Sequence, residues 1–212
     1  MKRIKERLQK IYRRLLKKHG PPRDQWQLWC KRPKTLKEKE KIIIEAVLTQ
    51  RTNWQNVEKV IRSLERRKLI SLKNLWQFGK KNRKEFFSLL KPIGFFRQKG
   101  TYLLELIEFI LKRYQGIEKM SQVSLFKLRS ELLSLKGIGK ETADSILLYS
   151  LEKPIFVIDE YTRRLVKKEG LSSSINYDTL QKLFQDNLPQ KITFYQDFHA
   201  LIVIEGKNKN LD

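Results

Sequence analysis

Cysteine is all but missing from this 212-residue sequence: Cys30 stands alone, beside two methionines and two histidines, His19 and His199. One thiol excludes a disulfide framework and a cysteine metal cluster. The histidines lie so far apart in the chain that no metal site is expected. No apolar run approaches the roughly 18 residues that a membrane span needs. The opening Met1-Lys2-Arg3-Ile4-Lys5 leads into a charged helix, not the apolar stretch of a signal peptide. A cytoplasmic protein with no membrane association is therefore expected. Acidic residues are scarce as well, 23 Asp and Glu against 46 Lys and Arg, for a formal net charge of +23. Such a charge on so short a chain calls for an acidic partner, most commonly nucleic acid. Part of the excess also fits the Lys- and Glu-rich surfaces of heat-stable proteins.

Strand-like alternation is absent too, so the expected fold class is all-α. Ile4, Leu8, Ile11 and Leu15, spaced four, three and four apart, form one apolar stripe under a Lys/Arg surface. Gly20-Pro21-Pro22 ends that helix, and a loop to Pro33 carries Trp26, Trp29 and Cys30. The next helix, 37–49, buries Ile42, Ile43, Ala46 and Val47, and Asn53 caps another that runs to about Arg67. Short helices are expected at 71–78 and 81–90, with a break at Pro92-Ile93-Gly94. A long helix over 97–114 turns Leu103, Leu106, Ile107, Ile110 and Leu111 inward. Segments 123–134, 140–151, 160–168, 177–187 and 194–204 complete the set, with no internal repeat or low-complexity stretch.

The most informative segment is Leu133-Ser134-Leu135-Lys136-Gly137-Ile138-Gly139-Lys140-Glu141-Thr142-Ala143-Asp144-Ser145-Ile146-Leu147. One helix ends at Leu135, Gly137-Ile138-Gly139 turns the chain, and a second helix starts at Lys140. Glycines suit a turn that needs unusual backbone angles and lets a phosphate approach bare N–H groups. The second helix then presents its unpaired amides and positive dipole end. Gly-x-Gly alone would fit any helical hairpin. The flanking Leu135, Ile138 and Ala143, which lock two helices together, make the pattern more specific.

This stretch resembles the helix-hairpin-helix of the endonuclease III superfamily of DNA glycosylases. In that family an aspartate opens the helix after the hairpin, and Asp159 falls at that place in Lys153-Pro154-Ile155-Phe156-Val157-Ile158-Asp159-Glu160-Tyr161. Upstream, Ala46-Val47-Leu48-Thr49-Gln50-Arg51-Thr52-Asn53-Trp54 is similar to the family's first barrel helix and the turn after it. Ile93-Gly94-Phe95-Phe96-Arg97-Gln98-Lys99 is similar to its wedge loop. The resemblance implies a two-lobed helical fold with a DNA cleft between lobes. One lobe would span 36–148, and the other would combine 1–35 with 149–212. It implies DNA backbone contacts by Gly137, Ile138, Gly139, Lys140 and Thr142, a Gln50 that fills the space of the extruded nucleotide, and a Phe95 that wedges the duplex. The partner would be double-stranded DNA with a damaged base, met by a monomer among the nucleoid proteins of the cytoplasm.

Asp159 also carries a role on its own chemistry. Four apolar residues, Ile155 to Ile158, lead to it, so it should sit at a buried helix start, where a carboxylate is stabilised. Breaking a glycosidic bond builds positive charge on the sugar, and a fixed carboxylate can stabilise that charge and orient the attacking water. The plainer reading is a helix N-cap, a common place for Asp.

Two departures narrow the class. Bifunctional relatives carry an amine nucleophile two residues after the second hairpin glycine, where this chain has Glu141. Lys140 is adjacent, but one residue along a helix turns a side chain by about 100°. Many relatives also hold an iron–sulfur cluster on four C-terminal cysteines, which have no counterpart here, so no cofactor is expected. A monofunctional member of this kind resembles the 3-methyladenine DNA glycosylases, whose cationic substrates leave easily and stack on aromatic rings. Trp26, Trp29 and Trp54 are candidates for that pocket, although each could equally be core packing. The branch usually has Asn where Arg51 stands and often two adjacent tryptophans where Trp26 and Trp29 are separated. Glu45, five residues before Gln50, stands where mismatch-adenine glycosylases hold a catalytic glutamate, which leaves that activity or another lesion as an alternative. A non-catalytic DNA-binding protein that kept the hairpin is the remaining one.

Overall fold

The structure, a computed structural model, describes residues 2–208, and among them every regular element is helical. No helix among the described residues is long and apolar enough to cross a membrane. The chain divides into two compact units, Pro33–Leu151 and Met1–Arg32 with Glu152–Asp212.

The order opens with α1 (Lys2–His19), α2 (Gln25–Trp29), α3 (Leu36–Leu48), α4 (Trp54–Arg66), α5 (Leu72–Lys81) and α6 (Arg83–Leu89). A 3-10 turn at Lys91–Ile93 leads into α7 (Phe96–Tyr114), followed by α8 (Ile117–Ser121), α9 (Leu125–Leu133) and α10 (Lys140–Ser145). A π turn over Ile146–Ser150 continues α10, and α11 (Glu160–Lys168), α12 (Tyr177–Asn187) and α13 (Ile192–Asn208) close the chain.

Side-chain caps set many of the starts. Thr35 and Glu38 form a reciprocal capping box on α3, with the Glu38 carboxylate accepting from the Thr35 amide at 2.8 Å. Asn53 caps α4 through the Gln55 amide at 2.9 Å, as its position in the sequence suggests. In the Pro33–Leu151 unit, α3 is buried on every side from Ile42 to Leu48, including Glu45. The long α7 packs Leu103, Leu104, Leu106, Ile107 and Ile110 inward, while Leu111 is only half-buried. The other unit seats α1 through Leu8, Ile11 and Leu15 against the terminal helices, and α13 is its core strut. Burying three leucine-sized side chains contributes roughly 1.5–3 kcal/mol each, more than the partly exposed ion pairs of Arg14 and Lys18 on the same helix supply.

Three local features differ from the sequence reading. Trp26 and Trp29 lie on α2 and not in a loop, because three-residue spacing lets one helical turn bury both rings. The segment after α7 forms α8, anchored by buried Ile117 and Met120. The helix expected over 140–151 widens into a π turn, with the Leu151 amide donating to the Ile146 carbonyl at 3.0 Å.

Candidate active site

The apolar run Ile155–Ile158 is wholly buried and delivers Asp159 to the N-cap of α11, where the residue is 9% exposed. One carboxylate oxygen, Oδ1, accepts from the Thr162 amide at 2.7 Å and from the Thr162 hydroxyl at 2.8 Å. The other, Oδ2, faces His199 Nε2 at 3.5 Å. Burial pushes this carboxyl's pKa up, but the facing His199 imidazole and the two Thr162 donors outweigh it and hold the group below its ordinary value. Asp159 is therefore a fixed, ionised carboxylate. Asn or Ser would cap α11 without the cost of desolvating a charge, so the cap alone does not explain an aspartate here.

His199 comes from α13 and is 4% exposed. The Trp26 ring meets it edge-on at 5.7 Å between centroids and meets Trp29 in the same manner at 5.7 Å. Phe156 closes the other side at 6.3 Å and stacks on Phe184 at 4.4 Å. A wall of aromatic rings thus ends at the carboxylate. Tyr161, the second residue of α11, has its hydroxyl pKa raised by burial and by the Asp159 charge, against Arg164. Gly206 lets α13 lie against α11 at this point, because a Cβ there would collide with the Tyr161 ring.

In the Pro33–Leu151 unit, α9 and α10 form the hairpin. Gly137 has φ +80°, and a Cβ on it would run into the Tyr102 ring, so both backbone and packing require glycine. Gly139 differs: its φ of −84° suits any residue, and an added Cβ would meet nothing within 4 Å. Ile138 is buried, whereas Gly139 and Glu141 are exposed and Lys140 is half-buried. The angle of the hairpin is fixed by Arg129, which donates to both oxygens of the fully buried Asp144 at 2.7 and 3.0 Å. Gln50, in the turn after α3, donates its side-chain amide to the Gly137 carbonyl at 2.9 Å and the Thr142 hydroxyl at 3.0 Å. Thr142 is 7% exposed, and its hydroxyl serves Gln50.

Over residues 44–190 the sequence matches the family described as HhH-GPD superfamily base excision DNA repair protein. The chain belongs to this superfamily. A Methanocaldococcus jannaschii protein, MJ1434, which carries the provisional name of DNA repair glycosylase, is 36% identical over 93% of this chain and 86% of its own. The structure of the H. pylori 3-methyladenine DNA glycosylase MagIII, bound to 1,N6-ethenoadenine, superposes with a TM-score of 0.77 and 30% identity, covering 98% of this chain and 97% of that one. An endonuclease III–DNA complex shares the fold, with a TM-score of 0.72 at 17% identity over 94% of this chain and 84% of that one.

Of the residues expected at the site, the structure brings Trp26, Trp29 and Asp159 together in one unit. Gln50, Thr142 and the hairpin glycines assemble in the other, which also holds Trp54 at the start of α4. Glu45 is 3% exposed on α3, with Lys41 Nζ at 4.0 Å. Phe95 is 73% exposed and takes a left-handed backbone at φ 42°, after Gly94 at φ 63°. Arg51 is likewise left-handed at φ 49°, a conformation that Asn adopts more readily than Arg. Within the superfamily, four-cysteine iron–sulfur binding does not fit these residues: Cys30 is the single thiol and donates to the Gln196 carbonyl at 3.7 Å. Among the described residues no trio of His, Cys, Asp or Glu is placed to hold a metal ion.

Sequence reasoning assigned no role to His199, Tyr161 or Gly206. The available signal was the spacing of His199 and Gly206 by seven, which places both on one face of a helix.

Proposed function

We propose that this chain is a monofunctional DNA glycosylase of base excision repair, acting as a monomer on alkylated purines of the 3-methyladenine type in duplex DNA. The observation that carries this reading is the ionised Asp159, with one oxygen tied to Thr162 and the other toward His199, at the end of the aromatic wall of Trp26 and Trp29. In the reaction, the bond between sugar and purine breaks and its electron pair departs with the base. An alkylated purine already carries positive charge and leaves neutral, so little acid catalysis is needed. The positive charge that grows on the sugar is met by the Asp159 carboxylate. Water then adds to the anomeric carbon and gives up a proton, toward Asp159 or solvent. Trp26 and Trp29 select the extruded base by stacking, since a cationic ring gains most from an aromatic face. The H. pylori protein, similar along nearly its whole length, binds a purine adduct and supports this substrate class.

The exposed Gly139 and the start of α10 receive a phosphate, while the exposed Phe95 enters the base stack and Gln50 fills the gap left by the nucleotide. Glu141 stands in the first turn of α10, where a lyase would need an amine, and a carboxylate forms no Schiff base. The enzyme works without an iron–sulfur cluster.

The test is an excision screen on duplexes carrying 3-methyladenine, 7-methylguanine, uracil, or adenine opposite 8-oxoguanine. The expected result is release of an alkylated purine, an intact abasic site cut only by hot alkali, and no borohydride-trapped adduct. Release of adenine alone would move the assignment to the mismatch-adenine reading and to Glu45. A trapped adduct lost on Lys140→Ala would overturn the hydrolytic mechanism.

A further inference from the structure

Lys99 on α7 is 4% exposed, and among the described residues no carboxylate pairs with it. Its ammonium donates instead to two backbone carbonyls from different elements, Leu48 at 3.1 Å and Ile93 at 3.0 Å. Its own amide donates to the Phe95 carbonyl at 3.0 Å. Lys99 therefore grips the Gly94-Phe95 turn on both sides and ties it to the last residue of α3, two positions before Gln50.

This is a costly way to satisfy two carbonyls. A buried ammonium must be stripped of water, and burial lowers its pKa. Carbonyls at a helix end can be met by water or by neutral donors. What the ammonium adds is geometry: one nitrogen within 3.1 Å of both oxygens fixes the spacing of the two turns. It also opposes relaxation of Phe95, whose left-handed backbone is strained for an aromatic residue and persists only when its surroundings enforce it.

We infer that Lys99 is the positioning residue for base extrusion, a buried clamp that holds the Phe95 wedge and the Gln50 plug at the separation the opened duplex requires. The inference rests on the reading in which Phe95 and Gln50 enter DNA, and it adds a residue that touches no DNA itself.

The experiment compares dissociation constants for an undamaged duplex and for the same duplex with a tetrahydrofuran abasic-site analogue opposite 2-aminopurine. Wild type should prefer the abasic duplex and change the 2-aminopurine fluorescence as Phe95 and Gln50 insert. Lys99→Met should lose about tenfold of that preference, the scale of one charge-assisted hydrogen bond, together with the fluorescence change, while undamaged duplex binds as before. Asp159→Asn should keep both signals. Lys99→Gln, which retains a donor, should fall between and serves the same comparison if Lys99→Met does not fold. A wild-type preference that survives both substitutions would overturn the clamp and leave the glycosylase reading standing. Absence of any preference in wild type would overturn the insertion reading and the clamp with it.

Discussion

The hairpin and the aspartate site use opposite means to present a charge-binding atom. At the hairpin the chain thins to bare backbone: Gly139 is exposed, nothing of the protein would touch a Cβ there, and the groups on offer are amides. At Asp159 the chain thickens: the carboxylate is buried, tied to Thr162, faced by His199 and backed by aromatic rings from three separate segments. The difference fits the tasks proposed for the two. A phosphate brings its own full charge and solvation shell, and only needs room and donors. A transient positive charge on a sugar needs a counter-charge already fixed before it appears.

The sharpest way to break the contrast lies inside the hairpin. Gly137→Ala should destabilise the fold by about 2 kcal/mol or more, because it meets both a positive φ and the Tyr102 ring. Gly139→Val should shift stability by no more than about 0.5 kcal/mol yet weaken binding to damaged and undamaged duplex alike. Thermal melts and a salt titration of affinity separate the two. Equal loss of stability in both variants would make the second glycine structural.

Next in size is His199→Gln, expected to slow excision roughly tenfold at neutral pH, the scale of losing one polar partner of a charged group. Its pH signature matters more. Asp159 has a folded pKa below its unfolded one, so its ionisation stabilises the fold above the unfolded value, and that contribution is lost as pH falls through the folded pKa. Without His199, burial pushes the carboxyl up unopposed by the imidazole, so the acid limb of both stability and excision should move to higher pH. An unmoved limb would mean that the Thr162 donors suffice.

A smaller effect is expected at Arg51, whose φ of 49° suits Asn better: Arg51→Asn should raise stability by about 0.5 kcal/mol. Of similar size is Tyr195→Phe. The Tyr195 hydroxyl is buried with no hydrogen-bond partner among the described residues, and burial pushes its pKa up to about 12. Removing it should leave stability unchanged or raise it by up to about 1 kcal/mol. A marked loss on calorimetry would reveal a polar role for that hydroxyl.

The same contrast governed what could be read from the chain. The hairpin is contiguous, so its glycines, its flanking apolar residues and the all-helical periodicity around it were legible residue by residue. Asp159 was legible because Ile155–Ile158 announce a buried approach to a helix start. Its surroundings were not, since His199 lies forty residues on and Trp26 far upstream, and no local pattern links them. α2 is hidden because one turn is too short to show a period, and the π turn because its apolar spacing reads the same as that of an α-helix. Lys99 closes the wedge-loop stretch in the sequence, but nothing there separates it from the other residues among 46 Lys and Arg. Only its burial against two carbonyls sets it apart.

The central claim is that Asp159 does chemistry while the hairpin only holds. Single-turnover excision by Asp159→Asn, at protein concentrations that saturate an alkylated duplex, tests it most directly, because Asn keeps the cap to Thr162 and removes only the charge. The predicted result is a rate at least about a hundredfold below wild type, the scale of losing one preorganised electrostatic group, with affinity for the duplex unchanged. Excision at the wild-type rate would contradict the account.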